Sequence, residues 1–142
     1  MALIHRHSLL LIILGSLVIS TAMGLRHGFG LFMEPLSSEL GWGRGVFAFA
    51  LALQNLVWGL SQPFTGALAD RFGAAKIIVV GGLLYALGLL FMSLSTSVLG
   101  MTVSAGLLIG LGLSGTTFSV ILGAVGRAVA PEKRSMAMGI VS

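Results

Sequence analysis

Two adjacent side chains in the first apolar stretch have the chemistry to hold an anion or to carry a proton. Arg26 and His27 interrupt an uncharged run that otherwise extends from Ser8 to Met33. An arginine at the centre of a bilayer costs about 2.5–3.5 kcal/mol on insertion scales, so Arg26 should face a cavity or a partner. Its planar guanidinium can donate two parallel hydrogen bonds to a carboxylate, which favours an organic anion as ligand. The alternative is that Arg26 extends to the outer headgroups, as a long side chain near a helix end can.

His27 offers proton coupling as a second chemistry. An imidazole changes its charge near neutral pH, so His27 could link the movement of an anion to that of protons. The alternative is a histidine at a helix end that bonds water or a carbonyl group.

Polar side chains in the second apolar stretch share one face of a predicted helix. Residues three and four positions apart lie on the same face, which groups Gln54, Trp58, Ser61 and Gln62, with Asn55 beside them. Amide groups in hydrocarbon need partners, so this face should turn towards a wet cavity or another helix. The pattern predicts Gln54, Asn55 and Trp58 as cavity lining, and contact between helices explains it equally well.

The sequence lacks the residue groups of an enzyme. All four acids stand in predicted loops or at helix ends, namely Glu34, Glu39, Asp70 and Glu132. It contains no Ser-His-Asp set and no metal-spaced histidine cluster, and the absence of cysteine excludes thiolate ligands. The run 110–115 matches a dinucleotide-binding pattern in its letters, but the strand that this pattern requires is missing. We therefore predict no catalytic residue, no metal and no cofactor.

The composition indicates which elements position these residues. Hydrophobic residues make up 56% of the chain and charged residues 8%, whereas soluble domains carry about 25% charged residues. So few charged residues could not cover the surface of the protein in water. We therefore predict an all-α integral membrane protein with the lipid bilayer as its solvent. The basic residues stand in short segments between apolar runs, which argues against nucleic acid as a partner.

Apolar runs of the length needed to cross a bilayer divide the chain. We predict membrane helices over about 8–32, 46–69, 77–94 and 98–126, with a fifth starting at about 136. The run after Met136 is too short to cross, so we expect the chain to be the N-terminal part of a longer protein.

The distribution of basic residues predicts the orientation. A cytoplasmic N-terminus places most of them on the inside, where the positive-inside rule expects them, and leaves only Arg26 and Arg44 near the outside. We therefore expect a multi-pass protein of the cell's inner (plasma) membrane with its N-terminus in the cytoplasm.

A short turn between the second and third predicted helices carries the most specific motif. Gly66 and Gly73 flank Asp70 and Arg71, and Lys76 follows; the glycines permit close approach and a sharp reversal. The pattern Gly-x-x-x-Asp-Arg-x-Gly at this position resembles the signature loop of the major facilitator superfamily. That resemblance implies that these five residues form a latch that closes the cytoplasmic side. Two alanines stand where the family usually has bases after the second glycine, which implies a weaker or displaced basic arm.

A second resemblance covers the first helix and the loop after it. The segments 24–36 and 39–44 are similar to the monocarboxylate-porter branch of the superfamily, although Gly43 replaces a common serine. Arg26 stands where that branch places a substrate-linked lysine or arginine. Lys133 and Arg134 resemble the loop that introduces the fifth helix, which implies that Arg134 joins the latch.

The two resemblances imply the N-terminal part of a twelve-helix secondary transporter of small organic anions. Two six-helix halves would alternate access to a site near the midplane, so the second half is an expected partner. Arg26 would hold the substrate carboxylate, and His27, Gln54, Asn55 and Trp58 would line the cavity. The alternatives are a carrier for drugs or other neutral solutes, and a non-transporting membrane scaffold.

Overall fold

The computed structural model describes residues 6–142, and within this range the elements are helices joined by short connections. The helices are α1 (Arg6–Glu39), α2 (Arg44–Phe72), α3 (Ala74–Leu94), α4 (Val98–Ala128) and α5 (Pro131–Val141). The first four are long and apolar enough to cross a membrane. The predicted all-α membrane fold, with the start of a fifth helix, is confirmed.

Helix α1 extends further than the apolar run that predicted it. It continues through Pro35 to Glu39, whereas the hydropathy pattern placed its end at about 32. Hydropathy detects only the part of a helix that lies in hydrocarbon, and the last turns of α1 carry Glu34 and two serines that suit water. The short connection 40–43 then reverses the chain, with Gly41 at a φ of +65°.

Helix α4 occupies the centre of the bundle. In its most apolar stretch 61% of the residues are buried, against 28% in α1 and 17% in α2 and in α3. Glycines bring its backbone against that of α3: a β-carbon at Gly81 would lie 2.9 Å from the Gly115 Cα, and one at Gly112 would lie 2.6 Å from the Tyr85 nitrogen. This contact between backbones accounts for the glycine run 110–115 as helix packing.

The single predicted crossing of α4 is interrupted twice. A π-helical segment occupies Thr102–Leu108, and such segments concentrate at functional sites. Thr117 adopts an extended conformation, with φ −123° and ψ −154°, and separates the piece Ile109–Thr116 from the piece Phe118–Ala128. The hydropathy pattern could not reveal these interruptions because it averages over a window, and both lie within a run that contains no charged residue.

The connections place several helix ends together. α2 and α3 are joined through Gly73 alone, whose φ of +98° favours glycine. The Ser8 hydroxyl donates to the Ala128 carbonyl at 2.8 Å, which joins the start of α1 to the end of α4. We call this end of the bundle, marked by Asp70, Gly73 and Ala128, the Asp70 end; the opposite end, where α2 begins, is the Arg44 end.

The outer faces of the helices are apolar. Large hydrophobic side chains are more than half exposed on every spanning helix, including Leu17, Leu31, Phe64, Leu83 and Leu99. Several polar side chains lie inside, among them Gln54, Ser114 and Thr117. This distribution is the reverse of that in a water-soluble protein and is the one that lipid favours.

Candidate functional site

Arg26 lies against α2, where two side chains hold its guanidinium group. The guanidinium carbon is 5.0 Å from the centroid of the Trp58 ring, which is cation–π distance. The Arg26 Nη2 donates a hydrogen bond to the Asn55 Oδ1. Asn55 and Trp58 stand one helical turn apart on α2, so both meet a single side chain from α1. The structure thus brings together three of the residues that the sequence singled out.

The positive charge of Arg26 has no acidic partner among the described residues. The ion pairs Arg44–Glu34 and Arg127–Asp70 join other residues. The Arg26 Nε is buried and makes no hydrogen bond. A guanidinium has five N–H donors, and Asn55 accepts from only one of the two terminal nitrogens, so donor capacity remains at the end of the fork. Such a planar fork can donate paired hydrogen bonds to a carboxylate or a phosphate.

His27 takes no part in this cluster. Its Nδ1 lies 2.7 Å from the Met23 carbonyl oxygen of its own helix, and the side chain is exposed. A histidine bonded to a carbonyl was the second of the two interpretations. Proton coupling through His27 stays a prediction.

Gln54 connects α2 to α4 and stands apart from the cluster. It is fully buried, and its Nε2 donates to the Ala105 carbonyl at 2.8 Å. Ala105 belongs to the π-helical segment, so the amide meets α4 where its backbone pattern changes. The Gln54 Oε1 is buried without a partner. Of the predicted polar face, Gln54 contributes a contact between helices, whereas Asn55 and Trp58 contact Arg26.

Trp58 also connects α2 to α4, through the break in α4. Its Nε1 donates to the Thr117 Oγ1 at 2.9 Å, and the Thr117 hydroxyl donates to the Leu113 carbonyl at 2.6 Å. Thr117 is fully buried. Our sequence reasoning did not place Thr117 in the site; the available signal was a pair of threonines within a glycine-rich apolar run.

The acid of the signature loop pairs with a base that the sequence analysis did not place in the latch. The Asp70 Oδ1 accepts from the Arg127 Nη1 at 2.5 Å, and both side chains are more than half exposed. Arg71 instead lies over the ring of its neighbour Phe72, with the guanidinium carbon 5.3 Å from the centroid. Successive helix residues point about 100° apart, so Asp70 and Arg71 cannot both face α4. The feature of the sequence that could have indicated Arg127 is its position as a lone basic residue at the end of the fourth apolar run.

The remaining predicted latch residues lie on α2, on α3, on α5 and in the turn between α2 and α3. Gly66 faces α4, and a β-carbon there would lie 3.9 Å from the Ser119 Cβ. Gly73 makes the reversal between α2 and α3. Lys76 is exposed in the first turn of α3, and the Arg134 Cδ would lie 3.9 Å from a β-carbon at Gly126. Arg134 therefore lies near the end of α4 that carries Arg127.

Comparisons with known proteins relate the chain to transporters. Residues 10–142 match the family described as Major Facilitator Superfamily. The chain is 41% identical over 87 residues to the multidrug resistance protein MdtH of Photorhabdus laumondii, covering 61% of this chain and 20% of that protein. It is 30% identical over 101 residues to the uncharacterized MFS-type transporter YhjX of Escherichia coli, covering 71% of this chain and 25% of that protein. It is 32% identical over 117 residues to monocarboxylate transporter 11 of Mus musculus, covering 82% and 26%.

Proposed function

This chain belongs to the major facilitator superfamily, and we propose that it supplies the anion-binding residue of a secondary transporter for small organic anions. The observation that carries the proposal is Arg26, a cation within a membrane-crossing helix without an acidic partner in the part of the chain that the structure describes. Intramembrane charges face cavities or partners and mark substrate pathways. The missing partner is the carboxylate of the substrate.

The surroundings of Arg26 support an anion over a cation. The Trp58 ring orients the guanidinium through its face, and Asn55 accepts one N–H. Neither neighbour removes the positive charge, so a cationic drug would be repelled from this position, whereas a carboxylate would gain charge-assisted hydrogen bonds. The likeness to monocarboxylate transporter 11 agrees with this chemistry.

A multidrug transporter is the second candidate, and the likeness to MdtH favours it. In that case the face of Trp58 would bind an apolar ring and Arg26 would only support it. The matched regions cover about a quarter or less of each relative, so the activity of the whole protein is part of the proposal.

We further propose that the Asp70 end faces the cytoplasm and that the Asp70–Arg127 pair helps to close it. Most basic residues gather at this end, as the positive-inside rule expects of the cytoplasmic side. The chain would form part of an N-terminal six-helix half that carries the Arg26 site, and a second half would complete the pathway for alternating access. The location would be the inner membrane.

Uptake of labelled lactate, pyruvate or oxalate tests the proposal in the full transporter that we propose contains this chain. Arg26→Ala is expected to lower uptake by about tenfold or more, the scale of a lost charge-assisted hydrogen bond. Arg44→Ala is the matched control, because Arg44 is an exposed arginine where α2 begins, and its Nη2 lies 3.9 Å from the Glu34 Oε1. Uptake that Arg26→Ala leaves intact would remove Arg26 from the site, and uptake of drugs alone would favour the second candidate.

A further inference from the structure

The piece Phe118–Ala128 of α4 is a separate helical unit. The extended backbone at Thr117 divides it from Ile109–Thr116. A helix moves as one body where its backbone hydrogen bonds continue, and a residue at a helix end can absorb a change in φ and ψ. Thr117 is therefore the position at which the last turns of α4 can change direction relative to the rest.

This unit is attached to α2 near both of its ends. The Trp58 Nε1 bonds the Thr117 Oγ1 at 2.9 Å, next to the first residue of the unit. Asp70 pairs with Arg127, next to its last residue. Between these attachments Gly66 faces Ser119. A change at either attachment therefore changes how the whole unit packs on α2.

The indole of Trp58 serves two contacts at once. Its face lies under the Arg26 guanidinium, and its N–H is donated to Thr117. The attraction between a cation and a ring depends on the charge of the cation. A carboxylate bound to Arg26 offsets that charge, so it weakens the hold of Arg26 on the ring that bonds Thr117.

We propose that Trp58 and Thr117 are positioning residues that couple the Arg26 site to the Asp70–Arg127 pair. An anion at Arg26 releases Trp58, the Trp58–Thr117 bond weakens, and the unit Phe118–Ala128 moves away from α2 at the Asp70 end. Because coupling between binding sites is reciprocal, loss of the Asp70–Arg127 pair raises the affinity for the anion. The identity of the ligand rests on the proposed function, whereas the coupling between the three residues does not.

The neighbouring Thr116 provides a matched control. Its hydroxyl donates to the Gly112 carbonyl at 3.0 Å, as that of Thr117 donates to Leu113, and it is also buried. Unlike Thr117, it has no bond to a side chain of α2 among the described residues. Replacement of either threonine by valine keeps the branched shape, so any difference between the variants reports the bond to Trp58.

A disulfide between α2 and α4 measures the position of the unit. The chain contains no cysteine, and the β-carbons at positions 66 and 119 would lie 3.9 Å apart, within the range of about 3.5–4.5 Å for disulfides. The whole chain carrying Gly66→Cys and Ser119→Cys is placed in lipid nanodiscs, and its cross-linking rate under a mild oxidant is measured. Thr117→Val is expected to slow cross-linking by about two- to tenfold, the range for one lost hydrogen bond. Thr116→Val and Thr117→Ser are expected to keep the original rate.

A double-mutant cycle then separates coupling from general loosening. Arg26→Gln removes the cation from the Trp58 ring and is expected to slow cross-linking as Thr117→Val does. The double variant Arg26→Gln, Thr117→Val should be no slower than the slower single variant, because both changes interrupt one connection. Trp58→Phe, which keeps a ring but removes the N–H, should behave as Thr117→Val. Independent, multiplying effects of Arg26→Gln and Thr117→Val would overturn the proposal, as would equal effects of Thr116→Val and Thr117→Val.

Addition of oxalate distinguishes this proposal from the proposed function. Oxalate is expected to slow cross-linking in the double-cysteine chain and to have no further effect after Thr117→Val. If the double-mutant cycle shows coupling but the cross-linking rate does not respond to oxalate, lactate or pyruvate, the coupling is supported and the organic-anion function is contradicted. A response to oxalate that survives Thr117→Val overturns the coupling and leaves the anion site standing.

Discussion

The carboxylate of Asp70 and the guanidinium of Arg127, 57 residues apart in the sequence, lie 2.5 Å apart where α2 and α4 end. This pair joins the signature loop to the helix at the centre of the bundle. It also gives the Asp70 end a contact that can break without exposing apolar core. The closure that we propose for this end would have to open in every transport cycle and would require such a contact.

The first prediction concerns the stability that this pair provides. Asp70→Asn and Arg127→Gln should each lower the free energy of unfolding by no more than about 1 kcal/mol, because the side chains are 64% and 54% exposed and water screens them. Each variant should still slow the formation of the disulfide between positions 66 and 119. Added salt should also slow it in the double-cysteine chain that keeps Asp70 and Arg127. Thermal unfolding and cross-linking in nanodiscs measure the two effects. A loss of several kcal/mol would show that the pair is structural and does not act as a latch.

The second prediction compares two adjacent glycines of α3. Gly81→Ala should lower the free energy of unfolding by about 1–3 kcal/mol, because the new methyl group would meet the Gly115 backbone at 2.9 Å and force the helices apart. Gly82→Ala is the control: a β-carbon there meets nothing within 4 Å, and alanine favours helix by up to about 1 kcal/mol. Thermal unfolding in detergent measures both. Equal effects of the two variants would contradict the close packing of α3 on α4.

The third prediction concerns orientation. In intact cells, a cysteine at Ala75, beside Lys76, should resist a membrane-impermeant thiol reagent added outside, whereas one at Ser38 should react. Both positions are exposed, and they belong to opposite ends of the bundle. Permeabilised cells should label both. The reverse pattern in intact cells would invert the orientation and the assignment of the Asp70 end to the cytoplasm.

The apolar runs and the glycine-flanked turn sufficed to predict the spanning helices and the family. The polar face of α2 and the family resemblance grouped Asn55 and Trp58 with Arg26, but they also included Gln54 and His27, which bond Ala105 and Met23 instead. They did not predict Thr117 or Arg127 as site residues. Both meet α2 through the packing of α4, in contacts that join residues 59 and 57 positions apart in the sequence. No proline or charged residue stands near Thr117 in the sequence to predict the break in α4. Hydropathy averages over a window and therefore cannot register one extended residue in an apolar run.

We propose that Arg26 binds a carboxylate beside Trp58, and the fluorescence of Trp58 tests this binding most directly. With Trp42→Phe, Trp58 is the remaining tryptophan of the chain, and it lies 5.0 Å from the arginine. Titration with oxalate, lactate and pyruvate in nanodiscs should change its emission in a saturable manner with at least one of them. The change should vanish in Arg26→Gln and persist in Arg44→Gln. Emission that none of the three anions alters, or that responds equally without Arg26, would contradict the account.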